Sequence, residues 1–422
     1  VRPYPPYHIT HTYLDRELAR PPAAGSNQGS YVVFWWQEIA LGHLFISPGQ
    51  ELTETDYYAA LLAAIKPAVQ QYSALDASSS VWESWALPQG LVRWRAWMQA
   101  TFATWLPAAV PAQVPVSAII CTRNRPVQLR RCLQQLRELR CVAAEILVVD
   151  NAPSDNRTQE ATQEFEEVTY IREPRAGLDI ARNTGIRAAH YPVVTFIDDD
   201  VVVHPMLLYR VWEAFEEPAT AAITGLVIAL ELQTEAQLIF EKCWSFNRGY
   251  VDKWYGPEYM QAAATKAPPV WEIGAGANMA FRKSIFEQIG YFDELLDVGA
   301  AGCSGDSEMW YRILLHGHTI HYCPRAVVYH EHRKEIADLK RQIFYYMRGH
   351  AAAALIQQEQ QPQAGYTRHL YRKMPQYYAR LIKTGFPFFR FRSRTLWVEM
   401  KGLVSGIAFY YRNRNRAAKP QS

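Results

Sequence analysis

Three consecutive carboxylates, Asp198-Asp199-Asp200, follow the apolar run Val193-Val194-Thr195-Phe196-Ile197 without a break. An uninterrupted apolar run reads as a central parallel strand, and ligands of open α/β sheets gather beyond the carboxyl ends of such strands. Oxygen-only ligands suit a hard divalent cation, which usually brings a substrate phosphate with it. The competing reading is a solvated acidic turn that opens the next helix, and for an isolated triplet it is the commoner one. Company decides between the two. A strand at 116–121 leads into Thr122-Arg123-Asn124, and a strand at 145–149 ends at Asp150. Each polar group follows its strand, so all three sets face one sheet edge. Three strand ends opening on one crevice point to a nucleotide site.

The elements that must position these groups alternate. Helices are predicted at 127–139, 155–166 and 178–190, with a further strand at 168–171, and this βαβαβαβ order implies a parallel sheet with right-handed crossovers. Downstream come a small-residue loop at 273–279, a helix at 283–289 and a Gly-rich run at 298–305. A helix starting at Asp306 closes at Gly317, and two short strands, 319–322 and 326–329, lead to His330-Glu331-His332. Gly299, Gly302 and Gly305 are expected to let a loop close over a bound ligand.

The bulk numbers set the frame. A chain of 422 residues, 49% hydrophobic and 20% charged, is expected to fold into two or three domains with a large core. Six cysteines without a CxxC pair read as reduced thiols, and no run of 18 or more apolar residues occurs, which gives an expected cytoplasmic protein without a membrane span. The expected division is a Trp-rich accessory domain at 1–112, a catalytic domain at 113–335 and a helical, basic region at 336–422. In the first, 1–28 reads as an extended lead-in, 31–36 and 41–46 as a hairpin, 56–72 as a helix and 107–115 as a proline-punctuated linker. Trp82/Trp85 and Trp94/Trp97 have helical i,i+3 spacing, which core packing explains more readily than a sugar-stacking platform. In the last region, helices are read at 334–357 and 371–383. Between Arg368 and Arg416 there are twelve Lys/Arg and one acid, Glu399. There the basic and aromatic residues of 386–416 interleave, which suits an amphipathic element at an anionic membrane surface, on the inner face. A merely solvated basic face fits as well.

In order along 116–332, these motifs resemble the family 2 glycosyltransferases of GT-A fold: Thr122-Arg-Asn124, Val148-Val-Asp-Asn151, Gly177 to Gly185 with Ala181-Arg-Asn183, Phe196 to Asp200, Gly276-Ala-Asn278, Asp306 to Arg312, and His330. The resemblance implies an α/β fold, a Rossmann-like, mostly parallel sheet flanked by helices. It implies a nucleotide-diphospho-sugar donor, a glycan or lipid-linked acceptor, Mn2+ or Mg2+ as cofactor, inversion of the anomeric centre, and no nucleic-acid partner. Donor contacts then fall on Thr122, Asn124, Asp150, Arg182, Asp198 and Asp199. The metal falls on Asp200, Asp198 and His330, and the general base on Asp306, with Glu308 as a fallback. The acidic pair usual before that helix reads Gly305-Asp306 here, so one acid is missing. A sugar nucleotidyltransferase would carry a Gly-rich loop after the first strand, which Thr122-Arg-Asn-Arg-Pro126 lacks. A non-catalytic carbohydrate-binding scaffold would not need Asp150, Asp198, Asp200 and Asp306 together.

Overall fold

The chain first lays down three strands, β1 (Tyr7–Tyr13), β2 (Gly29–Trp36) and β3 (Ile39–Ile46), followed by the helix Glu54–Ser73. This is a computed structural model, and it describes residues 4–16, 22, 27–73, 81–86, 90–297 and 300–417. β2 and β3 form the expected hairpin, and β1 adds to β2 in parallel, within the stretch read as an extended lead-in. Trp35, Trp36, Trp82 and Trp94 are buried in the core, and Trp85, Trp97 and Trp105 are half-buried and pack against it. That core does not stop at the small sheet. It continues into Leu226, Ile228 and Val327 of the large one, and Trp35 stacks on His204 at 5.5 Å.

The large sheet contains β4 (Gln113–Thr122), β5 (Val142–Asn151), β6 (Val168–Glu173), β7 (Val193–Ile197), β8 (Val201–Val203), β9 (Thr220–Ala229), β10 (Lys253–Tyr255), β11 (Asn278–Arg282) and β12 (Thr319–His330). Its order among the described residues is β10-β12-β9-β11-β7-β4-β5-β6, with β8 paired to β12. β7, β4, β5 and β6 run parallel, as the alternating pattern requires, and register places Thr122 opposite Asp150. β11 runs antiparallel between β7 and β9.

Several boundaries differ from the sequence reading. The segment 319–329 is one strand and not two, because a register shift between Cys323 and Val327 absorbs Pro324. The linker ends early, since β4 already begins at Gln113, and the helix read at 155–166 shortens to Arg157–Thr162. β11 begins within the last two residues of the small-residue loop and fills the gap before the next helix, and β9, all ten of whose residues are buried, has no counterpart in the sequence reading although five of them are β-branched.

The C-terminal region wraps back onto this sheet domain. The helix Ile336–Gln360 buries Ala351, Ala352, Ala353 and Ala354 and packs along the helix Leu396–Ala417. The approach is close because Gly402 and Gly406 share one face: a Cβ at Gly406 would lie 2.1 Å from the Arg348 carbonyl oxygen. Gly406→Val is therefore expected to destabilise the protein by about 1–3 kcal/mol, the usual cost of overpacking. A lowered thermal midpoint checks it; an unchanged midpoint would show that the two helices can separate freely.

Candidate active site

A cavity of about 1240 Å³ opens at the carboxyl ends of β4, β5 and β7, and Thr122, Arg182, Asp198, Asp199, Asp200 and Asp306 line it. Its other wall comes from the C-terminal helices, which contribute His350, Tyr377 and Arg392. A pocket for a small ligand usually holds 300–1,000 Å³, so this one has room beyond a single nucleotide-sized occupant.

The three acids after β7 are not equivalent. Asp199 is tied into the protein: its carboxylate accepts from Thr122 Oγ1 at 2.7 Å and from Arg125 Nη1 at 2.8 Å. Arg125 also reaches Asp200 at 3.3 Å, and Arg333 approaches Asp200 at 3.8 Å. Burial first, and Asp200 second, push the Asp198 carboxyl up to about 7. That is the response of carboxylates crowded together with too little compensating charge. A divalent cation held by these carboxylates would supply the missing charge, so their oxygen donors fit one in chemistry. His330 lies on the same cavity, and burial followed by His332 pulls it down to about 3, which leaves a neutral imidazole suited to ligation.

Asp306 sits in the first turn of the helix Gly305–Leu315. Its Oδ2 accepts from the Gly276 backbone N–H at 2.9 Å and its Oδ1 from that of Ser307 at 2.7 Å. Both bonds fix the carboxylate facing the cavity. Glu308 is differently placed: Arg312 Nε holds both of its oxygens, at 2.7 and 2.9 Å, and it does not line the cavity. The glycine beside Asp306 has a steric reason. A Cβ at Gly305 would lie 2.0 Å from Asp179 Oδ2, so the Asp179 carboxylate already fills the place of a side chain at 305. Asp179 pairs with Arg182 Nη1 at 2.9 Å, and burial pushes it up to about 7. Arg182 itself feels Asp179, Asp198 and Asp306 together and forms the central cation of the cavity. Gly302 likewise serves close packing, since a Cβ there would meet the Tyr345 carbonyl oxygen at 2.3 Å; Gly299 lies outside the described residues.

Two of the expected donor residues stand off the cavity wall. Asp150 is fully buried, its Oδ2 accepting from the Tyr170 hydroxyl at 2.9 Å, while Oδ1 has no partner. Asn124 has φ +56° and accepts from Ser154 N–H and Oγ, each at 3.0 Å, which makes it a loop brace. Their neighbour Asn151 does line the cavity, and its Oδ1 accepts from Gly177 N–H. Asn278, in the small-residue motif, is a sheet brace whose Nδ2 donates to Leu226 and Ala326 carbonyls. Sequence reasoning missed Arg125, Asp179, Glu241 and Asp297. Asp297 accepts from the backbone N–H groups of Leu178, Asp179 and Ile180 and so caps the helix Leu178–Ala188 that carries Arg182. Arg125 and Asp179 lay inside quoted motifs; nothing local in the sequence marks Glu241 or Asp297.

A Rossmann-like sheet, with acids at the ends of β5 and β7, an acid opening a later helix and a histidine closing β12, defines a protein of the GT-A class. The sequence profile described as "Glycosyl transferase family 2" matches residues 117–290, and that part of the chain is a family 2 glycosyltransferase domain. Among curated proteins, the chain is 26% identical over 264 residues to the pre-mycofactocin glycosyltransferase of Mycobacterium tuberculosis, covering 62% of this chain and 52% of that protein. It is 30% identical over 95 residues to the uncharacterized glycosyltransferase YibD of Escherichia coli, covering 22% and 28% respectively. The chain spans about half the length, or less, of these relatives. Among solved structures, the mannosyltransferase PcManGT of Pyrobaculum calidifontis, in complex with GDP-Man and Mn2+, aligns with a TM-score of 0.48 at 17% identity, over 75% of this chain and 93% of that one.

Proposed function

We propose that this protein transfers a sugar from a nucleotide-diphospho-sugar to a hydroxyl of a glycan or lipid-linked acceptor, with a divalent cation and with inversion. The observation that carries the reading is the meeting of Asp198, Asp200 and His330 with Asp306 on one cavity, although they come from separate elements. Asp200, Asp198 and His330 would hold the cation, which when bound neutralises the diphosphate leaving group as a Lewis acid. Asp306 accepts the proton of the acceptor hydroxyl as its oxygen bonds to the anomeric carbon. The bond from that carbon to the diphosphate oxygen breaks with its electron pair, and attack from the opposite face inverts the centre. Arg125, now held by Asp199 and Asp200, is 38% exposed along its side chain and offers a second cation to the diphosphate. Incubation with Mn2+ or Mg2+ and a panel of UDP-, GDP- and dTDP-sugars, with an acceptor extract, is expected to release nucleoside diphosphate with one donor; release with none would sink the reading.

We further infer peripheral contact with an anionic membrane through the C-terminal region. No helix among the described residues is long and apolar enough to cross a membrane. Trp397, Val404 and Tyr411 nevertheless stand exposed at seven-residue spacing on one helix, with Phe386 and Phe388 exposed just before it. All the exposed charges described between 366 and 414 are Arg or Lys, because the acid there, Glu399, is buried against Arg392 and the Tyr378 hydroxyl. Apolar contact plus uniform positive charge is the pattern of an interfacial helix. Co-sedimentation with vesicles containing phosphatidylglycerol is expected at low salt, to weaken at high salt, and to fall in Phe388→Ser/Trp397→Ser. A protein that stays wholly in the supernatant at low salt contradicts it.

A further inference from the structure

Arg248 is a cation on the cavity that the transfer chemistry above leaves without a task. It lies in the loop between the helix Glu235–Cys243 and β10, and its side chain is half-buried in the cavity wall. Its Nη1 donates to the Ser245 carbonyl at 2.6 Å and its Nη2 to the Trp271 carbonyl at 3.1 Å, while its Nε–H is buried without a partner. Both acceptors are neutral. Among the described residues Arg248 has no ion pair, unlike Arg125, Arg182, Arg333 and Arg392 on the same cavity. Burial pulls its pKa below the usual arginine value, the mark of a charge short of company. The loop is braced to hold it there: the Arg248 carbonyl accepts from Lys253 Nζ at 2.5 Å, and the Gly249 carbonyl from the Tyr322 hydroxyl at 2.7 Å.

We propose that Arg248 binds the acceptor, pairing with a carboxylate or phosphate oxyanion on the sugar whose hydroxyl Asp306 deprotonates. A guanidinium withdrawn from water without a counter-charge is costly, and it stays protonated. Its planar fork of N–H donors is only partly used by the two carbonyls, and such a fork suits an oxyanion. The place of Arg248 on the cavity says which substrate brings that oxyanion. The carboxylates that act on Arg248 are those of Glu272, which is exposed, and Asp306, whereas the arginines that act on Asp198 are Arg182 and Arg125. Arg248 thus stands on the side of the proposed base, apart from the strand-end acids that would face the donor diphosphate. Trp271, whose carbonyl anchors Arg248, lines the same wall and packs edge-on against His350 at 4.7 Å, which sets an aromatic surface beside the cation. The acceptor is then an acidic glycan or a phosphate-linked sugar, two sources of one chemistry. This inference rests on Asp306 as the base, and so on the transferase reading.

The test works with simple probes. In full-length protein labelled with 15N-arginine, with Arg248→Lys for assignment, the Arg248 Nε–H signal is expected to shift saturably with methyl glucuronide or with glucose 1-phosphate. Methyl glucoside and glucose should leave it in place. A response to the glucuronide marks an acidic glycan, a response to the phosphate marks a phosphate-linked sugar, and a response to neither overturns the proposal. The shift is expected to persist when UDP or GDP is added with Mn2+; its displacement assigns Arg248 to the donor and overturns the proposal. With the donor taken from the panel above, kcat/KM for the charged member of a pair is expected to exceed that for the neutral member by about 10–100-fold, the worth of hydrogen bonds to a charged group. Arg248→Met should collapse that ratio toward one, and Arg248→Lys should recover part of it. Equal losses for charged and neutral acceptors would make Arg248 a brace and overturn the proposal. Should Arg248→Met not fold, or neither pair be turned over, the wild-type spectrum decides. Release of nucleoside diphosphate from no donor instead removes the transferase reading, and the spectrum still decides whether Arg248 takes an anion.

Discussion

Asp306→Asn is expected to lower the transfer rate by about 10²–10⁴-fold while leaving donor binding nearly intact. The substitution keeps volume and one carbonyl-type oxygen, so one of the two backbone bonds, from Gly276 or from Ser307, survives. What disappears is the capacity to take a proton from an acceptor hydroxyl, a poor nucleophile near neutral pH. On the proposed assignment, the donor would be held by groups at the strand ends, Thr122 and Asp198 to Asp200, which line the cavity apart from this carboxylate's own element. Glu308 cannot step in, because Arg312 and Gln360 hold it outside the cavity. Rate measurements at saturating acceptor, with nucleotide binding followed separately, separate the two effects. A variant within a few-fold of the wild-type rate would remove Asp306 from the chemistry.

The second large effect is expected from the cation. Chelation should abolish nucleoside diphosphate release, and Mn2+ or Mg2+ should restore it; Asp200→Asn should cost roughly 10²–10⁴-fold and resist rescue. The physical reason is charge. Without a cation, Asp198 and Asp200 repel both each other and an incoming diphosphate, and Arg125 is already shared between Asp199 and Asp200. Losing the Asp200 carboxylate also frees Arg125 to pair with Asp199 alone, so a partial gain in nucleotide affinity accompanying the loss in rate is consistent with the scheme. Full activity in excess chelator contradicts it.

Much of the fold was legible because its signals are local. The order of apolar runs and amphipathic segments from 116 to 200 is enough to specify a parallel βαβ series, and strand direction then forces Thr122, Asp150 and Asp198 toward one edge. The antiparallel β11 and the bulged β12 were harder, because β11 has only five residues, β12 is interrupted by Pro324, and their pairing partners lie far along the chain. The glycines before Asp306 show the same limit. Their sequence suggests mobility, but Gly302 and Gly305 are required by the Tyr345 carbonyl and the Asp179 carboxylate pressed against them.

By itself the sequence determined that Asp198 and Asp200 stand at a strand end, since strand period and chain order depend only on neighbouring residues, and through the family resemblance it singled out these two with Asp306 and His330 as the candidates proposed here for the chemistry. Tertiary structure alone decided how those groups are tuned. It brought Asp179 into the space left by Gly305, set Arg125 against Asp199 and Asp200, placed Glu241 and His332 behind His330, and closed the cavity with the C-terminal helices. Each of these is a contact between distant segments, and burial and hydrogen-bond polarity exist only once those segments meet.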